Sequence, residues 1–216
     1  MRVMQPRGGA AAANWWDPTG AGLCIWCAYQ PKGAASFAAS LLDLSGNGNN
    51  ASDPGGANIP GWDAVTGWAF NNDYLMTTFV PQNDQSQSMM VQYTGVANNG
   101  YLAGSNSGGN IEFNVWPVTT FATMNMSNGN SGGAAPGMAA GNITVAGNRG
   151  YRNGADEGYA IGAYGGATTN ATSIGARYWG GGVSDRIVAN IQAFAIYSCT
   201  LTAPQVAAVA AAMALL

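Results

Sequence analysis

Charge is almost missing from this sequence. Of its 216 residues only 8% are Asp, Glu, Lys or Arg, against about 25% in an ordinary soluble protein. Seven basic and ten acidic residues give a formal net charge of −3, and there is no histidine. Each shortage excludes something. Without clustered Lys and Arg no face can neutralise a phosphate backbone, so nucleic acid is not expected as a partner. Without histidine, serine and cysteine triads lack their usual base. With no histidine and no second Cys pair, a tetrahedral zinc site lacks its usual ligands. The cysteines, Cys24, Cys27 and Cys199, are too few and odd in number for a disulfide framework. They are expected as core thiols, although Cys24-Ile-Trp-Cys27 has the spacing of a redox motif. No apolar run reaches the roughly 20 residues that span a bilayer, the longest being Val206 to Leu216. The opening Met1-Arg-Val-Met-Gln-Pro-Arg-Gly-Gly shows no apolar core of a secretory signal. Neither membrane insertion nor signal-directed export is expected.

Apolar residues make up 47% of the chain, enough for one good core. Its surface must then be Gly, Asn, Ser and Thr. So little charge gives little repulsion between copies, which points toward permanent assembly. Short apolar runs alternate with Gly, Asn and Pro punctuation, the pattern of an antiparallel β architecture. Strands are expected at Leu23–Tyr29, Trp68–Phe70, Tyr74–Val80, Ser88–Thr94, Ile111–Trp116, Val118–Met126, Asn142–Ala146, Gly150–Arg152, Ala155–Gly162, Ser173–Arg177 and Ile187–Tyr197. Asn153-Gly154 predicts a two-residue hairpin, because a type I′ turn needs positive φ at both central residues. The last strand carries Ile191, Ala193 and Ala195 on one face and Phe194 and Ile196 on the other, so it should be central and covered on both sides. Ser127–Gly141 reads as a low-complexity rim loop.

One helix is expected, starting at Ala203. Thr202 and Gln205 form a capping box, and Leu201 can staple onto Val206. From Ile187 to Leu216 there is no charged residue. The helix either packs along its own domain or lies under a neighbouring subunit through Val206, Val209 and Met213. The adjacent Trp15 and Trp16 are expected outside the core, as anchors onto a partner.

Several stretches together resemble a known family. They are Leu41-Leu-Asp-Leu-Ser-Gly-Asn-Gly-Asn-Asn-Ala51, Gly67-Trp-Ala-Phe-Asn-Asn-Asp-Tyr-Leu75, Tyr151-Arg-Asn-Gly154, Ile174-Gly-Ala-Arg177 and the closing Ile191-Gln-Ala-Phe-Ala-Ile-Tyr197 with Leu201-Thr-Ala-Pro-Gln205. In that order they resemble the laminin-G-like, concanavalin A-like jelly rolls. The resemblance implies an all-β fold, an antiparallel two-sheet jelly-roll sandwich with a short C-terminal helix. It divides the chain into an arm at 1–19, a jelly roll at 20–202 and the helix at 203–216. Many such domains hold calcium between rim loops, which makes Asp43, Asp73 and Asp84 candidates. The competing role for Asp43 is to brace its own turn by accepting backbone N–H bonds.

Glycanases of this fold use paired carboxylates, in one branch as E-x-D-x-x-E on a strand. Here Glu112 and Glu157 are the only glutamates, neither in such a pattern, and Asp156 and Glu157 are adjacent. No catalytic residues are assigned. Sugar binding is the stronger expectation. Alternation over Ile111–Trp116 puts Glu112, Asn114 and Trp116 on one face, a carboxylate, an amide and an aromatic together. Tyr178 and Trp179 stand beside Gly180-Gly-Gly182, which would let a ligand approach closely. Both groups also have plain readings, as strand decoration and as an aromatic plug. A charge-poor, aromatic-bearing module of this family without a signal looks like a virion surface protein of a tailed phage. It would be a head decoration, spike or fibre component, contacting other virion proteins, copies of itself and cell-surface glycans. The alternative is a glycan-binding module of an extracellular bacterial protein.

Overall fold

The computed structural model describes residues 14–82, 84–107, 112–118, 123–129, 132–136, 140–163 and 169–216. In chain order they form β1 (Ile25–Tyr29), α1 (Phe37–Ser40), β2 (Gly61–Asp63), β3 (Gly67–Asn71), β4 (Leu75–Met76), β5 (Ser88–Thr94) and β6 (Ala103–Asn106). Then come β7 (Glu112–Val118), β8 (Thr123–Gly129), β9 (Gly132–Pro136), β10 (Gly141–Ala146), β11 (Arg149–Arg152) and β12 (Ala155–Ala160). The chain closes with β13 (Ser173–Ile174), β14 (Arg177–Trp179), β15 (Gly182–Ser184), β16 (Val188–Tyr197) and α2 (Ala203–Met213). The first sheet runs β12-β11-β10-β5-β16-β3-β2, with β1 also on β16. The second runs β15-β14-β6-β7-β8-β9, with β13 bridging β4 and β6. Apart from one parallel contact between β14 and β6, the named strand pairs are antiparallel. This is the jelly-roll sandwich that the motifs imply. No helix among the described residues is long and apolar enough to cross a membrane.

The strands form where alternation supplies an inner face. Trp68, Phe70, Val91, Phe113, Phe194 and Ile196 meet between the sheets, almost without solvent contact. β16 is the central strand, flanked by β5 on one side and by β3 and then β1 on the other. Its faces differ from the expected alternation in one respect. A register irregularity between Ile191 and Ala193 turns Ile191 to the inner core beside Phe194 and Ile196, leaving Ala193 and Ala195 outside. One extra residue in one strand of a pair does this.

The outer face of the first sheet is also buried. α2 lies on it through Val206, Val209, Ala210 and Met213, all at most 3% exposed. Gln205 Oε1 accepts from Thr202 N at 2.8 Å, holding the helix start where the sequence puts it. Trp15 joins this cluster at 7% exposure, Trp16 packs against it half-buried, and Tyr197 donates its hydroxyl to Trp16 O at 2.9 Å. Trp15, expected against a partner, packs inside this chain, and of the two covers open to Val206, Val209 and Met213 the structure shows the one within their own domain. The reason is that β16, Met90 and Tyr151 give the first sheet an apolar outer face needing a cover. The opening residues 1–13 of the arm lie outside the described residues.

Cys24 and Cys199 are joined in a disulfide, and Cys27 is buried and free. This corrects the expectation of three core thiols. Antiparallel pairing sets Ile25 opposite Tyr197, so two cysteines 175 residues apart emerge side by side. Burial pushes the Cys27 thiol up to about 12. The turn after Leu42 is braced by Asp43, whose Oδ1 accepts from Ala28 N, Ser45 N and Ser45 Oγ, and whose Oδ2 accepts from Asn49 N, all at 2.7–3.0 Å. Asn47 and Asn49 then donate to Ile25 O and Trp26 O, covering the edge that β1 would otherwise offer to another strand.

Candidate functional site

Among the described residues no helix packs on the outer face of the second sheet, and the centre of that face is built from small and polar side chains. On β7, Phe113 and Val115 enter the core with no exposure while Glu112 and Trp116 point outward half-buried, as alternation demands. Asn114 is on the same outward face yet has no solvent exposure. Its register partners are Gly104 on β6 and Ser127 on β8. Any side chain at residue 104 would overlap the Asn114 amide, which leaves that place to glycine. Ser127 is equally buried, and neither its Oγ nor Asn114 Oδ1 and Nδ2 has a hydrogen-bond partner. Leaving a buried polar group unsatisfied costs on the order of 1–3 kcal/mol, a cost this face shares with Trp15 Nε1, Trp26 Nε1, Gln92 Oε1 and Thr172 Oγ1 elsewhere.

Beside this floor runs a ladder of rings. Trp116 stacks on Tyr101 at 4.8 Å between centroids and an interplanar angle of 24°. The Arg177 guanidinium lies 4.7 Å from the centre of the Tyr101 ring and 4.8 Å from that of Trp179. Trp179, at 49% exposure, forms the solvent end. Arg177 Nη1 donates to the Tyr101 hydroxyl at 3.1 Å, Nη2 donates to Asp185, and Nε is buried without a partner. Burial raises the Tyr101 hydroxyl well above its ordinary range. Asp185 also accepts from Ser184 Oγ at 3.0 Å, and Glu112 Oε1 accepts from Asn106 Nδ2 at 2.9 Å.

The ladder joins two regions that the sequence left separate. Glu112, Asn114 and Trp116 come from β7, and Trp179 from the β14–β15 hairpin; the structure brings these four together. Tyr178 does not join them. Arg177-Tyr-Trp-Gly-Gly-Gly182 is a hairpin rather than an open loop, with Trp179 opposite Gly182 and a turn of Gly180 and Gly181 at φ +60° and +86°. Successive strand residues face opposite ways, so Tyr178 points away from Trp179. Four contributors escaped the sequence reading. Arg177 was visible within the Ile174–Arg177 motif but not as a site residue. Ser127 follows from alternation once β8 is known to continue through Gly129. Tyr101 and Gly104 lie in a stretch whose sequence carries no strand signal.

The carboxylates group differently from expectation. Asp156 and Glu157 each face an arginine, Arg149 at 3.6 Å and Arg152 at 3.0 Å. Glu112 and Asp185 share the outer face of the second sheet and both act on Tyr101 through space. Of the calcium candidates, Asp43 is filled by its turn. Asp73 accepts from Asn71 N and Asp84 from Ser86 N, the Ser86 bonds holding Asp84 below the usual carboxylate range. Among the described residues no three His, Cys, Asp or Glu gather to hold a metal ion.

No protein-family model and no curated protein matches the sequence. Solved structures do match in fold. Domain 4 of AbnA, an extracellular GH43 arabinanase from Geobacillus stearothermophilus solved with arabinotriose, has a TM-score of 0.58 at 13% identity, covering 87% of this chain and 98% of that one. The binding domain of botulinum neurotoxin serotype D gives 0.58 at 12% identity, over 87% of this chain and 51% of that one. Trypanosoma rangeli sialidase gives 0.57 at 12% identity, over 89% and 33%. The chain thus spans about half the length of the toxin binding domain, a third of the sialidase and nearly all of domain 4. At these identities the likeness establishes the jelly-roll fold.

Proposed function

We propose that this chain is a non-catalytic glycan-binding module, and that the outer face of the second sheet is where it binds. The observation that carries the reading is the Trp116–Tyr101–Arg177–Trp179 ladder, ending in the half-exposed Trp179, with Glu112 and Asp185 on the same face. Aromatic faces receive the C–H groups of a sugar ring, while carboxylates receive its hydroxyl protons. Catalysis is not part of the reading. Asp185 is committed to Arg177 and Ser184, and Glu112 to Asn106. The matched structures include a domain solved with arabinotriose and botulinum neurotoxin type C, whose cell entry depends on interaction with two ganglioside molecules, which supports a carbohydrate partner here.

The Cys24–Cys199 disulfide supports a protein that works outside the reducing cytoplasm, since such bonds persist on virion and cell surfaces and in secreted proteins. The setting we favour is the outside of a virion, as a decoration, spike or fibre component that holds a host-surface glycan. A module of an exported bacterial protein is the second setting that the disulfide fits. The test is binding of the full chain to an array of oligosaccharides, followed by titration of the hits. Trp116→Ala should weaken binding by about 2 kcal/mol, roughly thirtyfold, with no reducing ends released from any bound polysaccharide. Unchanged affinity in Trp116→Ala would move the site elsewhere, and hydrolysis lost in Glu112→Gln would make the protein an enzyme.

A further inference from the structure

The charge arrangement of this face narrows its ligand. We propose that the site takes uncharged glycans and discriminates against acidic ones such as uronates and sialylated sugars; this rests on the outer face of the second sheet being the binding face.

Arg177 is the cation of the ladder, and much of its guanidinium is already engaged. Its Cζ lies 4.7 Å from the centre of the Tyr101 ring and 4.8 Å from that of Trp179. Nη1 is bonded to the Tyr101 hydroxyl, Nη2 to Asp185, and Nε is sealed from solvent. Around it stand two carboxylates, Asp185 and Glu112, so the site carries an excess of one negative charge over its single cation. Help from other cations is absent among the described residues. Arg149 and Arg152 belong to β11 of the first sheet and pair with Asp156 and Glu157. Arg186 turns to Asn58 and the Asn72 carbonyl, over the ring of Tyr74. Lys32 sits where its backbone bonds Gln192 of the first sheet. A like charge set against this face would be disfavoured.

The acceptors on this face agree. An ionised carboxylate only accepts hydrogen bonds, whereas a sugar hydroxyl both donates and accepts. Glu112 and Asp185 suit a hydroxyl proton and repel a second carboxylate. Asn114 and Ser127, like Arg177 Nε, lie beneath the surface.

The experiment is isothermal titration of the full chain with neutral and acidic partners, galactotriose against galacturonotriose, which differ at C6, and lactose against sialyllactose, which adds one acidic residue. The neutral member of a pair should bind at least about tenfold tighter. Its affinity should stay constant as NaCl rises from about 50 to 500 mM, because no charge pair is being screened. Asp185→Asn, which releases Arg177, and Glu112→Gln should each narrow the neutral-to-acidic ratio severalfold, with folding checked by thermal melting. Tighter binding of the acidic member, lost as salt rises, overturns the proposal. If that acidic binding is itself lost in Trp116→Ala, the location of the site survives and only its ligand class changes. Binding of neither class overturns the site as well.

Discussion

On the outer face of the first sheet, Val206, Val209 and Met213 of α2 lie over Ala193, Ala195, Met90 and Tyr151, with Trp15 closing one end. On the outer face of the second sheet, Asn114 and Ser127 stand beside Gly104, flanked by Trp116, Tyr101 and the half-exposed Trp179. Both faces belong to sheets that share one core, and both carry tryptophan. The first has a capped helix as its lid and keeps Trp15 Nε1 buried without a partner. The second keeps four such atoms, on Asn114, Ser127 and Arg177, and a ring at the surface. The two faces differ in their cover and in the exposed ring more than in unpaired groups.

The disulfide gives the sharpest separation of the two. Cys24 and Cys199 pack at the margin of the first sheet's outer cluster, and their bond closes a loop of well over a hundred residues. Cross-links of that length contribute about 5 kcal/mol. Cys199→Ser should lower the melting temperature by roughly 15 °C, while the dissociation constant for glycan, measured well below the melt, stays within about twofold. An equal loss of affinity would mean that the two faces are not independent.

Met213→Ala and Trp179→Ala test the contrast directly. Met213 is 1% exposed in the cluster under α2, and truncating such a side chain costs about 3 kcal/mol, roughly 9 °C. Trp179 gives up one exposed cation–π contact, worth no more than about 2 °C, but should lose glycan affinity severalfold. Thermal melting and titration of both variants should therefore give opposite rankings.

Alkali should act on groups of the core and of both faces alike. In the unfolded chain the Cys27 thiol ionises near its ordinary 9.0, in the folded chain only near about 12. The unfolded state thus loses its proton first as pH rises. Stability contributed by the buried thiol is whole below pH 9.0 and falls as pH climbs through about 12. Tyr29, Tyr93, Tyr101 and Tyr197, all raised by burial, push the same way. Denaturant midpoints taken across that range should fall steadily. With no histidine in the chain, glycan affinity should vary by less than about twofold between pH 6 and 8.

What could be read from the sequence follows the physics of each element. Ser88–Thr94 and the Asn153-Gly154 hairpin stand where apolar alternation and turn chemistry put them, with Asn153 at φ +49° and Gly154 at +81°. β9 was hidden, because Gly-Gly-Ala-Ala-Pro has no alternation and is held as a strand by backbone bonds to β8 alone. Within the expected rim loop Ser127–Gly141, residues 127–129, 132–136 and 141 are strand. The bulge at Gln192 and the Cys24–Cys199 bond are products of pairing between distant segments, to which local pattern is blind. Half of the site was legible as an outward triad on β7. The other half depends on β14 lying beside β6, which only the folded topology supplies.

The Cys24–Cys199 bond has a mechanical consequence. Everything between those residues, the central β16 and the ladder included, is a closed covalent ring. Tension applied between the two ends of the chain enters at Cys24, crosses the sulfur bridge and leaves at Cys199. The strands in between carry no load. A pull between the two ends of the chain would therefore leave the ladder face at rest until the bridge is reduced.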